Sequence, residues 1–373
     1  MSETLELDAS GREAIVLDVA LPVLTAWARS VRVSGFRASM GVSGLSPREV
    51  ARIRTLTLAT GAKGTGIFEG ATDFRLAFHQ GVVGPETSEA LDPSRGIDAD
   101  LAGAPLAPVV SDLMIASFGL KAGASVAHEL SGLTHVRSAG AQGYGARTLR
   151  LLGWEFGLDL EVATSELGFE PQGLGRVSVK ASRPAPGVFR PAHWKDRGEL
   201  RAIHALVGAV RPKGDQIERL EASLRDVFWE ARRIEPQVVR LVTSGVDLGA
   251  FLQIDLEWER GGATFMDVAG RSAAPLALAR RMARKVLGVW DSSATSDDIT
   301  GPLALASCVA ARAEGEFSLV SSRYLKAVCT VLRDIGARVD ESEGPGLVVL
   351  KTVPLEQDFA LAAEKERRTV GGG

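Results

Sequence analysis

Residues Glu166–Lys180 read ELGFEPQGLGRVSVK. Three glycines and a proline fall between Gly168 and Gly175, and then Val177 and Val179 begin the alternation of a strand. Glycine accepts positive φ and proline fixes its own, so the run predicts a tight turn that delivers the chain into a β-strand. The rival reading is a phosphate cradle, in which the N–H groups of a glycine-rich loop face an anion. The structural turn is preferred.

That strand ends the second of three segments with one layout, an amphipathic helix closing near a glycine, a short strand and then a second strand. The first is SPREVARIRTLTLATGAKGTGIFEG followed by TDFRLAFHQ, the second ARTLRLLGWEFGLDLEVAT followed by GRVSVKAS. The third is SSRYLKAVCTVLRDIGARVDES followed by PGLVVLKTV. In its helix Leu325, Val328, Cys329 and Leu332 recur at helical spacing and form one buried stripe. Ser321 or Ser322 can cap its start and Gly336 its end. A more apolar helix precedes each segment: IVLDVALPVLTAWA, APVVSDLMIASFGL and GPLALASCVAAR. A helix-strand-helix-strand-strand unit used three times predicts an α+β body with pseudo-three-fold arrangement.

Between the second and third units the pattern changes. Gly198–Val210 reads as a strand, Gln216–Arg232 as a helix, and Phe251–Glu259 as a strand turning through RGGAT into a last strand, Phe265–Val268. Ala273–Trp290 then returns to the main body as a helix. The expected organisation is a main domain of residues 1–197 and 272–355, an inserted small α/β domain of 198–271, and a disordered tail of 356–373.

The composition is that of an ordinary soluble protein: 45% hydrophobic, 24% charged, net charge −3 over 373 residues. No global basic field exists to draw in nucleic acid, so any RNA contact needs a local patch. Cys308 and Cys329 lie in apolar helical contexts with no CxxC or Cys/His spacing, which predicts neither a disulfide framework nor a metal site. The acidic start MSETLELDAS is unlike a signal peptide, and no apolar run approaches the ~18 residues of a membrane helix. A cytoplasmic protein without membrane association is expected.

Gly168-Phe-x-Pro171-x-Gly173-x-Gly175 before a strand resembles the signature of the RNA 3'-terminal phosphate cyclase family. Further matches lie in register: Gly44-Leu45, Gly132-x-Thr134-His135, Arg197-Gly198-Glu199-Leu200 and Pro302-Leu-Ala-Leu-Ala. The resemblance runs from about Glu6 to Val349, by order and spacing. It implies three repeats plus an insert, and enzymes that use ATP with a divalent cation to adenylylate a histidine. AMP then passes to an RNA 3'-phosphate, and the neighbouring 2'-hydroxyl closes a 2',3'-cyclic phosphate.

The resemblance also exposes departures. Tyr324 stands at the position of the nucleophilic histidine, and a phenol with pKa near 10 is a poor substitute. Ala14 and Leu17 replace polar groups of the N-terminal turn, and an expected arginine falls on Met40 although Arg37 is retained. The adenosine-pocket segment becomes AGAQGY, keeping Ala139 and Tyr144, and the polar pair before Pro302 becomes roughly DIT. The expectation is therefore a cyclase-like protein without cyclase activity and with no cofactor, acting in RNA binding or processing, as the nucleolar cyclase-like members of the family do in ribosomal RNA maturation. No catalytic residue is assigned; the substrate-binding candidates are Arg37, His135, Tyr144, Arg147 and Arg323. The alternative is an active, rewired cyclase in which His135 or another histidine reaches the site and ATP with a divalent cation is used. A third reading, an enolpyruvyl transferase built on the same repeat, lacks the Lys/Arg clusters it needs.

Four other stretches carry weaker signals. SAGAQGYGAR (Ser138–Arg147) reads first as a flexible glycine-rich loop before a helix, with an anion site built from backbone N–H groups and Arg147 as the rival reading. GAKGTG (Gly61–Gly66) lacks P-loop spacing and reads as a helix-to-strand connection. ARRMARK (Ala279–Lys285) is a solvated basic face or a set of phosphate contacts through Arg280, Arg281, Arg284 and Lys285. The Pro-, Arg- and aromatic-rich Ser182–Gly198 reads as a linker in which Phe189, Arg190 and Trp194 are available to stack on bases.

Overall fold

The computed structural model describes residues 4–37, 44–78, 96–136, 140–141, 146–170, 175–184, 192–210, 214–243, 249–269, 275–344 and 347–353. The tail 356–373 lies outside them, as do Met40, Ala139, Pro171, Gly173, Phe189 and Arg190.

The chain opens with β1 (Leu5–Asp8), then a helical stretch of α1 (Glu13–Ile15), a π-helical turn (Val16–Ala20) and α2 (Leu21–Ala26). β2 (Val31–Ser34), α3 (Pro47–Thr60), β3 (Lys63–Thr65) and β4 (Phe74–Ala77) follow. Their sheet has the order β1-β2-β4-β3, with β1 parallel to β2 and the other pairs antiparallel. Next come β5 (Asp98–Pro105), α4 (Leu106–Ser117), β6 (Ser125–Leu133), a two-stranded ribbon of β7 (His135–Val136) and β8 (Gly140–Ala141), α5 (Ala146–Glu155), β9 (Asp159–Glu166) and β10 (Gly175–Ser182). The order β5-β6-β10-β9 repeats the same pairing senses.

After β11 (Ala192–Trp194) a separate sheet intervenes, made of β12 (Leu200–Val210), β13 (Gln237–Thr243), β14 (Gly249–Trp258) and β15 (Gly262–Ala269), with α6 (Gln216–Arg232) and α7 (Pro275–Asp291). The chain then completes α8 (Thr300–Ala310), β16 (Gly315–Val320), α9 (Arg323–Asp334), β17 (Arg338–Gly344) and β18 (Leu347–Val353). Their order β11-β16-β18-β17 has the senses of the first two sheets once more. α2, α4 and α8 pack against one another at the centre, and every residue of α8 is buried. This is a mixed α+β architecture with several mixed sheets.

Local sequence accounts for most of these elements. In β10 Val177, Val179 and Ala181 face inward while Arg176 and Lys180 face water, the period-2 pattern of a half-buried strand. α3 starts on a reciprocal cap, with Ser46 accepting from the Glu49 amide and Glu49 accepting from the Ser46 amide, and Pro47 fills the first turn. Gly61 ends α3 at φ 66, so GAKGTG is a helix end running into β3.

The signature glycines act by close approach. A Cβ on Gly175 would lie 2.3 Å from Thr134 Cγ2, and one on Gly168 would lie 2.4 Å from the Gly175 nitrogen. Neither has positive φ, so the expected conformational reason gives way to a steric one. The Gly168 N–H donates to Thr134 Oγ1 at 2.8 Å and is unavailable to an anion.

Three expectations change. Each of the three matching sheets begins with a strand, β1, β5 or β11, that the helix-first unit omits; β1 and β11 are too short to show a period, and β5 (DADLAGAP) lacks branched residues. β11 lies inside the supposed linker, where Trp194 is 1% exposed, edge-on to Phe317 and donating to Glu155 Oε1 at 2.7 Å; it is a core residue and cannot stack on a base. α7 does not return to the main core. Its Leu278, Ala279, Met282, Ala283 and Val286 join α6 and the β12–β15 sheet in a second cluster, because its apolar stripe matches the open face beside α6.

Candidate functional site

Between the central helices and α7 lies a cleft of about 890 Å³. One wall comprises Asp18 on the π-helical turn, Arg52 on α3, Ser111 on α4 and Tyr324 on the first turn of α9. The facing wall is β15 and α7, which present Phe265, Met266, Asp267, Val268, Arg284 and Lys285. Asp298 and Ile299, just before α8, close one end. The geometry follows from α9 being capped by Ser322, whose Oγ accepts from the Leu325 amide at 3.0 Å, which fixes where Tyr324 projects.

Arg52 is the centre of the first wall. Its Nε and Nη2 donate to Asp112 at 2.6 Å each, its Nη1 to Asp18 at 2.7 Å, and Nη2 also reaches the Leu17 carbonyl at 3.3 Å. Burial draws the guanidinium pKa down, but the two carboxylates outweigh it and the net direction is up, so Arg52 stays charged. Burial pushes Asp112 up to about 6 against the pull of Arg52. One arginine held by two aspartates carries a net negative charge, and four of its five N–H donors are already engaged. Tyr324 is pushed above the ordinary phenol value by burial, with Asp18 adding to the effect and Arg52 opposing it. A phenol in this setting is a neutral hydroxyl at pH 7.

The residues singled out from the sequence do not converge here. Arg37 holds positive φ (51°) and donates to Glu49 Oε2 at 3.0 Å, bracing the α3 cap. His135 is 2% exposed, its ring 5.3 Å from Phe169 and 3.8 Å from Phe251, with Nδ1 2.8 Å from Thr134 Oγ1. Burial lowers its pKa to about 3, so the imidazole is neutral and enclosed. Arg147 Nε donates to Glu257 at 2.9 Å and its Nη2 meets His204 Nε2 at 2.7 Å, tying α5 to β14. Arg323 is exposed at the start of α9 and does not line the cleft. Tyr144 and most of the Gln142–Arg147 loop lie outside the described residues.

Of the four described histidines, His128, His135, His193 and His204, none lines the cleft. Among the described residues no group of His, Cys, Asp and Glu is arranged to hold a metal ion. No described helix is long and apolar enough to cross a membrane. Cys308 and Cys329 are buried free thiols, pushed up to about 12 by burial.

A family model described as RNA 3'-terminal phosphate cyclase matches residues 10–343. The chain belongs to the RNA 3'-terminal phosphate cyclase family. Two curated relatives carry that name. A protein of Staphylothermus marinus is 33% identical over 84 residues, 22% of this chain and 23% of the relative. One of Hyperthermus butylicus is 33% identical over 110 residues, 30% of this chain and 26% of the relative. The matched segments thus span about a quarter of each relative's length.

Of the positions that the resemblance marks as changed, Tyr324, Asp298 and Ile299 line the cleft. Leu17 is 3% exposed and packs into the core, leaving its neighbour Asp18 to face the cleft. Just before the segment DIT (298–300), Asp297 is 1% exposed and accepts from the amides of Thr264, Ile299 and Thr300 at 2.8–2.9 Å, while Asp298 lines the cleft. The Arg52–Asp112–Asp18 cluster has no local signature: its members lie 34 and 60 positions from Arg52.

Proposed function

We propose that this member of the cyclase family binds RNA without carrying out ATP-dependent adenylyl transfer. The observation that carries the reading is that Tyr324, which the resemblance sets at the nucleophile's position, lines the cleft as a phenol whose pKa burial raises. Attack on the α-phosphate of ATP requires a lone pair free of its proton near pH 7, which imidazole has and this hydroxyl lacks. The charged cluster on the same wall adds support, because Arg52 spends most of its donors on Asp18 and Asp112 rather than offering them to a triphosphate. A rewired cyclase using His135 is disfavoured by the ring's enclosure between Phe169 and Phe251.

We also read the three like-ordered sheets as copies of one unit in pseudo-three-fold arrangement, with the β12–β15 sheet inserted after β11. The convergence of α2, α4 and α8 supports this. The insert then extends through α7, whose apolar stripe belongs to the second core. Two reduced, buried cysteines fit a cytoplasmic setting.

Incubation with ATP radiolabelled at the α-phosphate, followed by a denaturing gel, tests the first half: no labelled protein band is expected. Fluorescence anisotropy with single-stranded RNA tests the second, with binding expected at low salt and weakening as salt rises. A covalent AMP adduct, or no RNA binding at low salt, overturns the proposal.

A further inference from the structure

The two walls of the cleft are electrically unlike. Asp18 and Arg52 line one wall, Asp267, Arg284 and Lys285 the other, and Asp298 one end, so the formal charges of the lining residues cancel. The pairing, however, is uneven. Arg52 is consumed by Asp18 and the buried Asp112, and Asp267 is taken by Arg281 at 2.6 Å. Among the described residues Arg284 and Lys285 make no ion pair; Arg284 Nε donates only to the Arg280 carbonyl, at 3.4 Å. What remains open to a ligand is two cations on α7 and one carboxylate, Asp298, beside them. The surface between is apolar, supplied by Phe265, Met266 and Val268 of β15.

Resting on the RNA-binding reading above, we infer that Arg284 and Lys285 are the phosphate-holding pair of the cleft. The pair takes a single phosphate group, on an RNA end or on a mononucleotide, and discriminates against a triphosphate. Two cations match one phosphate monoester dianion through charge-assisted hydrogen bonds. The additional phosphates of a triphosphate must be placed against Asp298 or against the net negative Arg52 cluster, where like charges repel. The apolar strip of β15 offers the base or ribose a dry contact. The basic run that reads from the sequence as a solvated helix face is therefore divided by the fold: Arg281 pairs with Asp267, Arg280 does not line the cleft, and Arg284 and Lys285 do.

The test uses the full chain and a fluorescein-labelled ten-nucleotide RNA ending in a 3'-phosphate or a 3'-hydroxyl, with AMP and ATP as competitors. The 3'-phosphate form is expected to bind about tenfold more tightly, the effect of one charge-assisted contact. Arg284→Gln with Lys285→Gln should erase that difference and flatten the salt dependence by about 1.4 in log–log slope. Arg280→Gln, an equally exposed change on the same helix, should leave both intact. AMP should compete better than ATP. If AMP displaces the RNA fully, the pair serves mononucleotides as well; if it does not, the RNA chain supplies further contacts, and either result agrees with a single-phosphate site. RNA binding that is unchanged in the double variant, or stronger competition by ATP than by AMP, overturns the assignment while leaving RNA binding in place. Absence of RNA binding by the unaltered protein at low salt overturns both.

Discussion

A histidine met in the sequence as a possible reactive group proves to be a core residue, and its protonation is then a matter of stability. His135 is held between Phe169 and Phe251, and burial lowers its pKa from 6.5 to about 3; burial also lowers His128 to about 4. Above pH 6.5 both rings are neutral whether the chain is folded or not, and stability does not depend on them. As pH falls below 6.5 the unfolded chain binds protons that the native protein refuses, so stability drops until the native values are reached. His135 alone should remove about 2 kcal/mol between pH 7 and pH 5. Urea unfolding across that range measures it, and His135→Gln should show a shallower loss than the unaltered protein while retaining the part due to His128. Equal slopes would mean that the ring is not enclosed. The place of Tyr324 on the first turn of α9 is legible from the sequence, because the helix stripe and its cap are local signals. The Arg52 cluster is not, since its carboxylates come from a different helix and from the π-helical turn. Nor is the partner of Trp194, because proline-rich surroundings say nothing of the Phe317 ring that covers it.

Elements with a local signal were readable almost to the residue. The Leu325–Leu332 stripe of α9 is buried as its spacing requires, Ser322 caps the helix, and Gly336 follows it at φ 95. α6 occupies Gln216–Arg232 as its pattern indicates. β13 escaped notice because its Val239 and Val242 are exposed, which breaks the alternation of a half-buried strand; it is specified instead by parallel pairing to β12. The caps lead to a prediction. Ser322→Ala removes the acceptor of the Leu325 amide and should cost about 1 kcal/mol of global stability, with Ser322→Gly closer to neutral. Because Tyr324 sits in the turn that this cap fixes, Ser322→Ala should also raise amide exchange at Tyr324 and Leu325. A variant as stable as the parent, with unchanged exchange there, would remove the cap from the account of the cleft.

For the molecule as a whole, the cleft exists because the β12–β15 sheet is pinned against the central helices rather than tethered by a loose linker. Arg197 stacks over Trp258 at 4.9 Å and donates to the carbonyls of Val289, Trp290 and Ala294, locking the end of α7. Gly262 N–H donates to the Thr295 carbonyl at 3.1 Å, and Thr295 N–H donates to Ser318 of β16 at 2.7 Å. Asp297 completes the joint. Its buried carboxylate receives Thr264 of β15 through one oxygen and the first amides of α8 through the other, so one side chain binds the edge of the β12–β15 sheet to the start of the central helix. Burial raises its pKa while those amides oppose the shift. Asp297→Ala leaves these N–H groups enclosed without an acceptor, and at about 1–3 kcal/mol for each unsatisfied group the loss should be about 3 kcal/mol or more. Asp297→Asn keeps an acceptor oxygen and should lose less. The joint has a readout that general destabilisation does not share: under native conditions the Thr264 and Thr300 amides should exchange far faster in Asp297→Ala, while those in the middle of β10 and α9 follow only the global change. Uniform acceleration, or an unchanged urea midpoint, would show that the two walls are held by their apolar contacts alone, and that the spacing between Tyr324 and the α7 cations does not depend on Asp297.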